Sequence, residues 1–301
     1  MSHSESLNET EENSNTPRIL VYGEVLYDCF PDGRKILGGA PFNVAWGLKG
    51  FGHQPYFMSA VGQDTEAEEI ISRMTDWGLR TDGVQRDADH ATGQVEVTIV
   101  DDEPQYTICE ERAWDFIQPS TTPDVEMIYH GSLVLRNAQS RDTFEHLVDT
   151  SKAKRFFDVN LRQPYYTREL LNKWVKGADW VKLNIDELAY LAEVDTVSFD
   201  DAEPLVDTLR EKFNVANVLL TAGGEGALIK GAVGYGSIRP APTPKQFVDT
   251  VGAGDSFTAV TIGGILNQEP VEQIVHRAAH FAAKVCGLNG ATTSDRSFYQ
   301  I

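Results

Sequence analysis

The sequence predicts an α/β fold: a three-layer α/β/α domain with a mostly parallel central sheet and a small projecting β-sheet lid. Three observations carry this. Short apolar runs of strand character alternate with longer segments of helical period along most of the chain. The first run leads through a glycine-rich turn into a helix and then a second strand, the order of a βαβ unit. One stretch breaks the rhythm and reads as an exposed hairpin.

In chain order, Arg18-Ile-Leu-Val-Tyr-Gly23 is the first strand. Phe30-Pro-Asp-Gly-Arg34 is a turn, followed by Gly38-Gly39. From Ala40 to Phe51 the apolar Val44, Ala45 and Leu48 recur at helical spacing. Tyr56–Val61 is a strand, and a Glu-rich helix runs from Thr65 to Trp77, closed by Gly78. Gln94–Val100 and Tyr106–Cys109 alternate polar and apolar residues around the turn Asp101-Asp102-Glu103-Pro104, which predicts a lid hairpin over about 91–112. Strand-like runs return at Met127–Tyr129, Arg155–Val159, Trp180–Leu183 and Val218–Thr221, with helices over 140–150, 167–176, 185–193, 201–213, 253–266 and 270–287. No linker interrupts them, so residues 18–301 are expected to form one domain behind a disordered acidic tail, 1–17.

The chain has 301 residues, with 45 Asp+Glu against 26 Lys+Arg and a formal net charge of -19. Such a deficit of basic groups argues against holding nucleic acid by its phosphates, and against docking on an anionic membrane. No apolar run approaches the roughly 18 residues of a membrane span, and no basic and apolar leader is visible. Cys29, Cys109 and Cys286 lie far apart in no CxxC spacing and read as buried thiols in a reducing compartment. These features lead us to expect a cytoplasmic protein. The seven histidines are scattered, and His276 and His280 have no glutamate between them, so no resident metal set is expected.

The most specific motif is Asp249-Thr-Val-Gly-Ala-Gly-Asp-Ser-Phe257, directly before an apolar helical stretch. Gly252, Ala253 and Gly254 can turn successive backbone N–H groups inward at a helix N-terminus, making an anion hole favoured by the helix dipole. Asp255 falls in the first helical turn. A carboxylate beside an anion hole is suited to accept the proton of a hydroxyl that attacks phosphorus, while the amides hold charge on the transferred phosphoryl oxygens. The chain has neither a GxxxxGK[ST] loop nor a GxGxxG after its first strand, which disfavours a P-loop NTPase and a dinucleotide-binding domain.

This segment resembles the C-terminal signature of the ribokinase-like (PfkB-type) carbohydrate kinases, and Gly38-Gly-Ala-Pro-Phe-Asn43-Val-Ala45 resembles their N-terminal signature, in the same order. Gly-Glu-Val-Leu-Tyr-Asp28, Glu103-Pro-Gln-Tyr106 followed by Ala-Trp-Asp115, and Asp158-Val-Asn-Leu-Arg162 bring the chain nearest the bacterial fructokinase-like branch. The resemblance covers 18 to about 295.

It implies an ATP-dependent sugar kinase with Asp255 as base and Gly252, Ala253 and Gly254 as the anion hole. Asp28, Gly38, Gly39 and Asn43 would meet the sugar, with Arg162 beside them. Lys182-Leu-Asn184-Ile-Asp-Glu187 resembles the family's Asn-x-x-Glu motif, in which Asn184 faces nucleotide phosphates and Glu187 serves magnesium and phosphate through water; locally the pair also reads as a helix cap and capping box. Thr221, Gly223 and Gly226 resemble the loop that contacts nucleotide. Magnesium would arrive with ATP. A potassium ion beside the anion hole would use Asp249, the Val251 carbonyl, carbonyls near Val285 and Gly290, and Ser294.

A lid must keep water from the acceptor, and Gln94, Glu96 and Tyr106 of the hairpin are candidates to face it; the same hairpin could instead join two copies as a homodimer. A phosphorylated acceptor would need several convergent cations, and only Arg162, Arg136 and Arg112 lie near the site loops. A neutral ketohexose therefore fits best, and the resemblance implies fructose phosphorylated at its 6-hydroxyl. 2-Keto-3-deoxygluconate, ribose or a nucleoside are alternative acceptors, and a catalytically idle sugar sensor is the alternative outside enzymes.

Overall fold

The computed structural model describes residues 16–100 and 103–301. The acidic tail, but for Thr16 and Pro17, and Asp101-Asp102 of the expected turn fall outside the described residues, whereas Glu103 and Pro104, expected in the same turn, belong to a strand. A nine-stranded sheet runs β13-β12-β11-β10-β9-β8-β1-β4-β5. Its strands are β1 (Ile19–Tyr22), β4 (Tyr56–Val61), β5 (Val84–Arg86), β8 (Met127–Gly131), β9 (Lys154–Asp158), β10 (Trp180–Asn184), β11 (Asn217–Thr221), β12 (Ala227–Gly231) and β13 (Gly234–Ile238). From β11 to β5 every pairing is parallel, and only β12 and β13 are antiparallel.

The burial of β1 explains its composition. All four residues are buried, because both faces of a central parallel strand are covered. Ile19 and Val21 join one apolar core, and Leu20 and Tyr22 the other, as period-two alternation requires. The first core holds α1 (Ala40–Gly50), α2 (Thr65–Trp77), α7 (Ala253–Leu266) and α8 (Val271–Val285). The second holds α3 (Ala138–Thr150), α4 (Arg168–Lys176), α5 (Ile185–Ala192) and α6 (Ala202–Phe213). The α2 helix shows the local signals at work: Asp64 caps its start by accepting from the Ala67 amide, and Gly78 ends it at φ 77.

A second, four-stranded sheet has the order β3-β2-β6-β7, built from β2 (Leu26–Cys29), β3 (Lys35–Gly38), β6 (Gly93–Val100) and β7 (Glu103–Ile108). The expected hairpin is present, but it pairs in parallel with β2, within a stretch that reads in sequence only as a turn between glycines. Short strands such as β2, β3 and β5 carry too few residues for a period to show, and glycines dilute β12 and β13. The three cysteines are free, but only Cys286 is buried; Cys29 and Cys109 are half-buried on the lid sheet, correcting the expectation for them. No helix among the described residues is long and apolar enough to cross a membrane.

Candidate active site

The C-terminal ends of the parallel strands converge where such sheets offer their crevices. Register places Asp158 beside Lys182, and Asn184 beside Thr221, so the four side chains leave the sheet on the face covered by α7. The α7 helix starts at that edge. Its cap, Gly252, has φ 77, and a Cβ there would lie 2.3 Å from the Ala291 Cβ, so only glycine fits the turn. Ala253 N–H donates to the Thr250 carbonyl at 3.1 Å and so closes the turn instead of facing a ligand, a correction to the expected anion hole. Gly254 and Asp255 follow within the first turn, where helix geometry leaves amides without intrahelical acceptors.

Asp255 is half-buried and accepts from Asn43 Nδ2 at 2.8 Å, across 212 residues of chain. Asn43 comes from the first turn of α1, is 7% exposed, and leaves its Oδ1 without a partner. Burial pushes Asp255 up to about 6, against the Asn43 hydrogen bond; Asp158 pushes the same way, and Lys182 and Arg162 oppose. Asp28 lies one residue from the end of β2, and a Cβ at Gly38 would lie 3.9 Å from its Oδ2. Burial raises Asp28 to about 6, tempered by Arg162. A Cβ at Gly39, at φ 107, would lie 2.7 Å from the Glu24 carbonyl oxygen. Arg162 is exposed and donates to the Leu161 carbonyl at 3.2 Å, and its charge reaches Asp28, Glu24 and Asp255.

Two groups here were missed in the sequence. Glu24 is 3% exposed with an unpartnered Oε2, and burial pushes it to about 7. It follows the first strand, but that place alone does not mark a carboxylate that the fold will bury. The other is the Asp158–Lys182 ion pair, 3.0 Å long and buried. Arg136, by contrast, forms a nearly buried pair with Asp115 at 2.7 Å, lies over Trp114 and Tyr165, and donates to the Cys109 carbonyl at the base of the lid.

The nucleotide-side residues gather along the same edge. Asn184 caps α5 by accepting from the Glu187 amide, and Glu187 Oε2 accepts from the Asn184 amide, a complete capping box. Glu187 Oε1 accepts from the Leu161 amide, tying α5 to the loop that carries Arg162. Thr221 ends β11; Gly223 at φ 54 faces open space, while a Cβ at Gly226 would lie 2.3 Å from the Ile238 oxygen. Asp249 Oδ1 accepts from the Val251 amide, and the Val248 amide donates to the Cys286 carbonyl, which brings this loop against the end of α8 just past Val285. Gly290 adjoins Ala291, which backs Gly252, whereas Ser294 lines a groove with Trp46 and Trp77.

The lid assignment divides. Register puts Asp28, Val95, Val97 and Tyr106 on one face of the small sheet, and Tyr27, Cys29, Gln94 and Glu96 on the other. Tyr106 therefore shares the face of Asp28, and its phenol is raised by burial and by the charges of Asp28 and Asp249. Gln94 and Glu96 do not share it, because a period of two sends neighbours of Val95 to the opposite side.

A carboxylate in the first turn of a helix, set at the crevice end of a parallel sheet, is an arrangement compatible with phosphoryl transfer. Residues 15–297 match the pfkB family of carbohydrate kinases. The chain belongs to that family. It is a sugar phosphotransferase, with ATP as phosphoryl donor. The fructokinase of Klebsiella pneumoniae is 28% identical over 295 residues, covering 91% of this chain and 93% of the relative. Among solved structures, the kinase is similar to a fructokinase from Vibrio cholerae bound to fructose, ADP and calcium (TM-score 0.78, 24% identity, 95% of this chain and 98% of the other). It is also similar to the aminoimidazole riboside kinase of Salmonella enterica bound to its riboside and an ATP analogue (TM-score 0.78, 22% identity, 94% of this chain and 99% of the other).

Proposed function

We propose that this kinase transfers the γ-phosphoryl group of ATP to the 6-hydroxyl of fructose, giving fructose 6-phosphate. The observation that carries the choice of acceptor is the charge of the pocket: Glu24, Asp28 and Asp255 meet a single exposed cation, Arg162. Such a pocket repels a phosphorylated acceptor and suits the hydroxyls of a neutral sugar.

In this reading Asp28 and Asn43 hold sugar hydroxyls beside Gly38 and Gly39. The unpartnered Asn43 Oδ1 is an acceptor for one of them. Asp255 accepts the proton of the attacking hydroxyl; the new O–P bond forms as the bond from the γ-phosphorus to the bridging oxygen breaks, and ADP leaves. The amides of Gly252, Gly254 and Asp255 face the phosphoryl oxygens. Asn184, Glu187, Thr221, Gly223 and Gly226 border the nucleotide. Magnesium carried by ATP would neutralise β- and γ-phosphate charge, with Glu187 reaching it through water, and a potassium ion would fit the Asp249 loop and the carbonyls near Val251, Val285 and Gly290. Tyr106 closes the acceptor from the lid.

The exposed guanidinium of Arg162 favours a second reading, a sugar acid such as 2-keto-3-deoxygluconate, whose carboxylate it would pair. An ADP-release assay with fructose, ribose, 2-keto-3-deoxygluconate and inosine, read as kcat/KM, separates them. Fructose should lead. A larger value for the sugar acid, lost in Arg162→Ala, would replace the first reading with the second.

A further inference from the structure

Beneath the first turn of α7 lies a buried ion pair that proton transfer to Asp255 does not itself require. Lys182 Nζ donates to Asp158 Oδ1 at 3.0 Å, and the residues are 6% and 0% exposed. Tyr129 steadies the other oxygen, donating to Asp158 Oδ2 at 3.3 Å. A Cβ at Gly254 would lie 3.5 Å from Lys182 Nζ, so the ammonium rests against α7 one residue before Asp255. A pair this buried is weak as a stabiliser, since desolvating two charges cancels much of their attraction. Its position accounts for it better.

We propose that Lys182, held in place by Asp158, is a positioning residue: the fixed cation that keeps Asp255 in its proton-accepting form as substrates fill the site. Sugar and nucleotide displace water and bring negative charge, and both drive a proton onto a carboxylate. The groups around Asp255 divide by sign. Asn43 of α1 donates to it; Asp158 of β9 is negative, and Glu24, after β1, becomes so only above about 7; Tyr129 of β8 is neutral; Lys182 of β10 and Arg162 of the loop after β9 are positive. Of the two cations, Arg162 is exposed and screened, whereas Lys182 is buried and is not. Burial works against the Lys182 charge, but Asp158 and Glu187 outweigh it and hold the ammonium above its ordinary range.

The inference rests on Asp255 being the base, so Asp255→Asn is assayed alongside. The measurement is the pH profile of sugar kcat/KM for the wild type, Lys182→Met, Asp158→Asn and the double variant. Losing the cation should move the acid limb up by about one pH unit, roughly a tenfold loss below the limb. Losing Asp158 should move it down, and the double variant should fall between the two. If Lys182→Met fails to fold, Asp158→Asn carries the test by its downward shift, and the double variant, which leaves no unpaired buried charge, reports whether the two effects offset. Limbs that coincide with wild type in every soluble variant, or that move in one direction for both charges, overturn the proposal. An active Asp255→Asn overturns the base assignment instead.

Discussion

In the proposed reaction Asp255 combines a chemical role with a cost in stability. Its folded value of about 6 stands above the ordinary 3.8, so the folded state holds its proton more tightly than the unfolded chain. Folding stability is therefore lost as pH rises from about 4 through about 6, and stays lost above. Asp255→Asn should abolish turnover, a fall of about 10²–10⁴-fold. It should also stabilise the fold at pH 8 by about 1–2 kcal/mol, allowing for solvent screening, with the gain vanishing below about pH 4 in melts across pH. The same titration predicts that wild-type kcat/KM rises with pH through about 6, to which Asp28 contributes in the same direction. Asp255 was readable from its motif, because the glycines and the acid lie within one turn. Glu24 was not, because nothing local distinguishes a carboxylate that becomes buried only when sheet and helices close over it.

At the scale of elements, the start of α7 and the face of the lid set the site. Gly252→Ala meets both a positive φ and Ala291, and should cost about 1–3 kcal/mol and most of the activity. Gly224→Ala meets open space and should leave the melting temperature unchanged. On the lid, Tyr106→Ala should raise the sugar KM severalfold, whereas Glu96→Ala should not, since Glu96 points away from Asp28. Steady-state kinetics on the two variants checks the register directly. Arg136→Met should cost about 3–5 kcal/mol, because it strands the buried Asp115 carboxylate, and denaturant melts would show it. The hairpin itself was legible from alternation. Its pairing with β2 was not, since four residues around Asp28 hold too little pattern.

For the whole molecule, a net charge of -19 must be reconciled with a polyanionic substrate. In the proposed site, backbone amides at the start of α7 stand in for a basic cluster. Because the overall field repels ATP, raising ionic strength from about 10 mM to about 150 mM should lower the KM for MgATP, the reverse of what phosphate-binding basic proteins show. A KM that rises with salt would mean that a local basic patch dominates. The sequence by itself determined the alternation of strands and helices, the turn that opens α7 and the two signatures, because each is written within a few residues by period, glycine and cap. Only the tertiary structure decided which carboxylates meet Arg162, which face of the lid looks inward, and that Lys182 lies beneath Gly254. Those relations join residues far apart in the chain, and they exist only through strand register and the closure of two cores on one sheet.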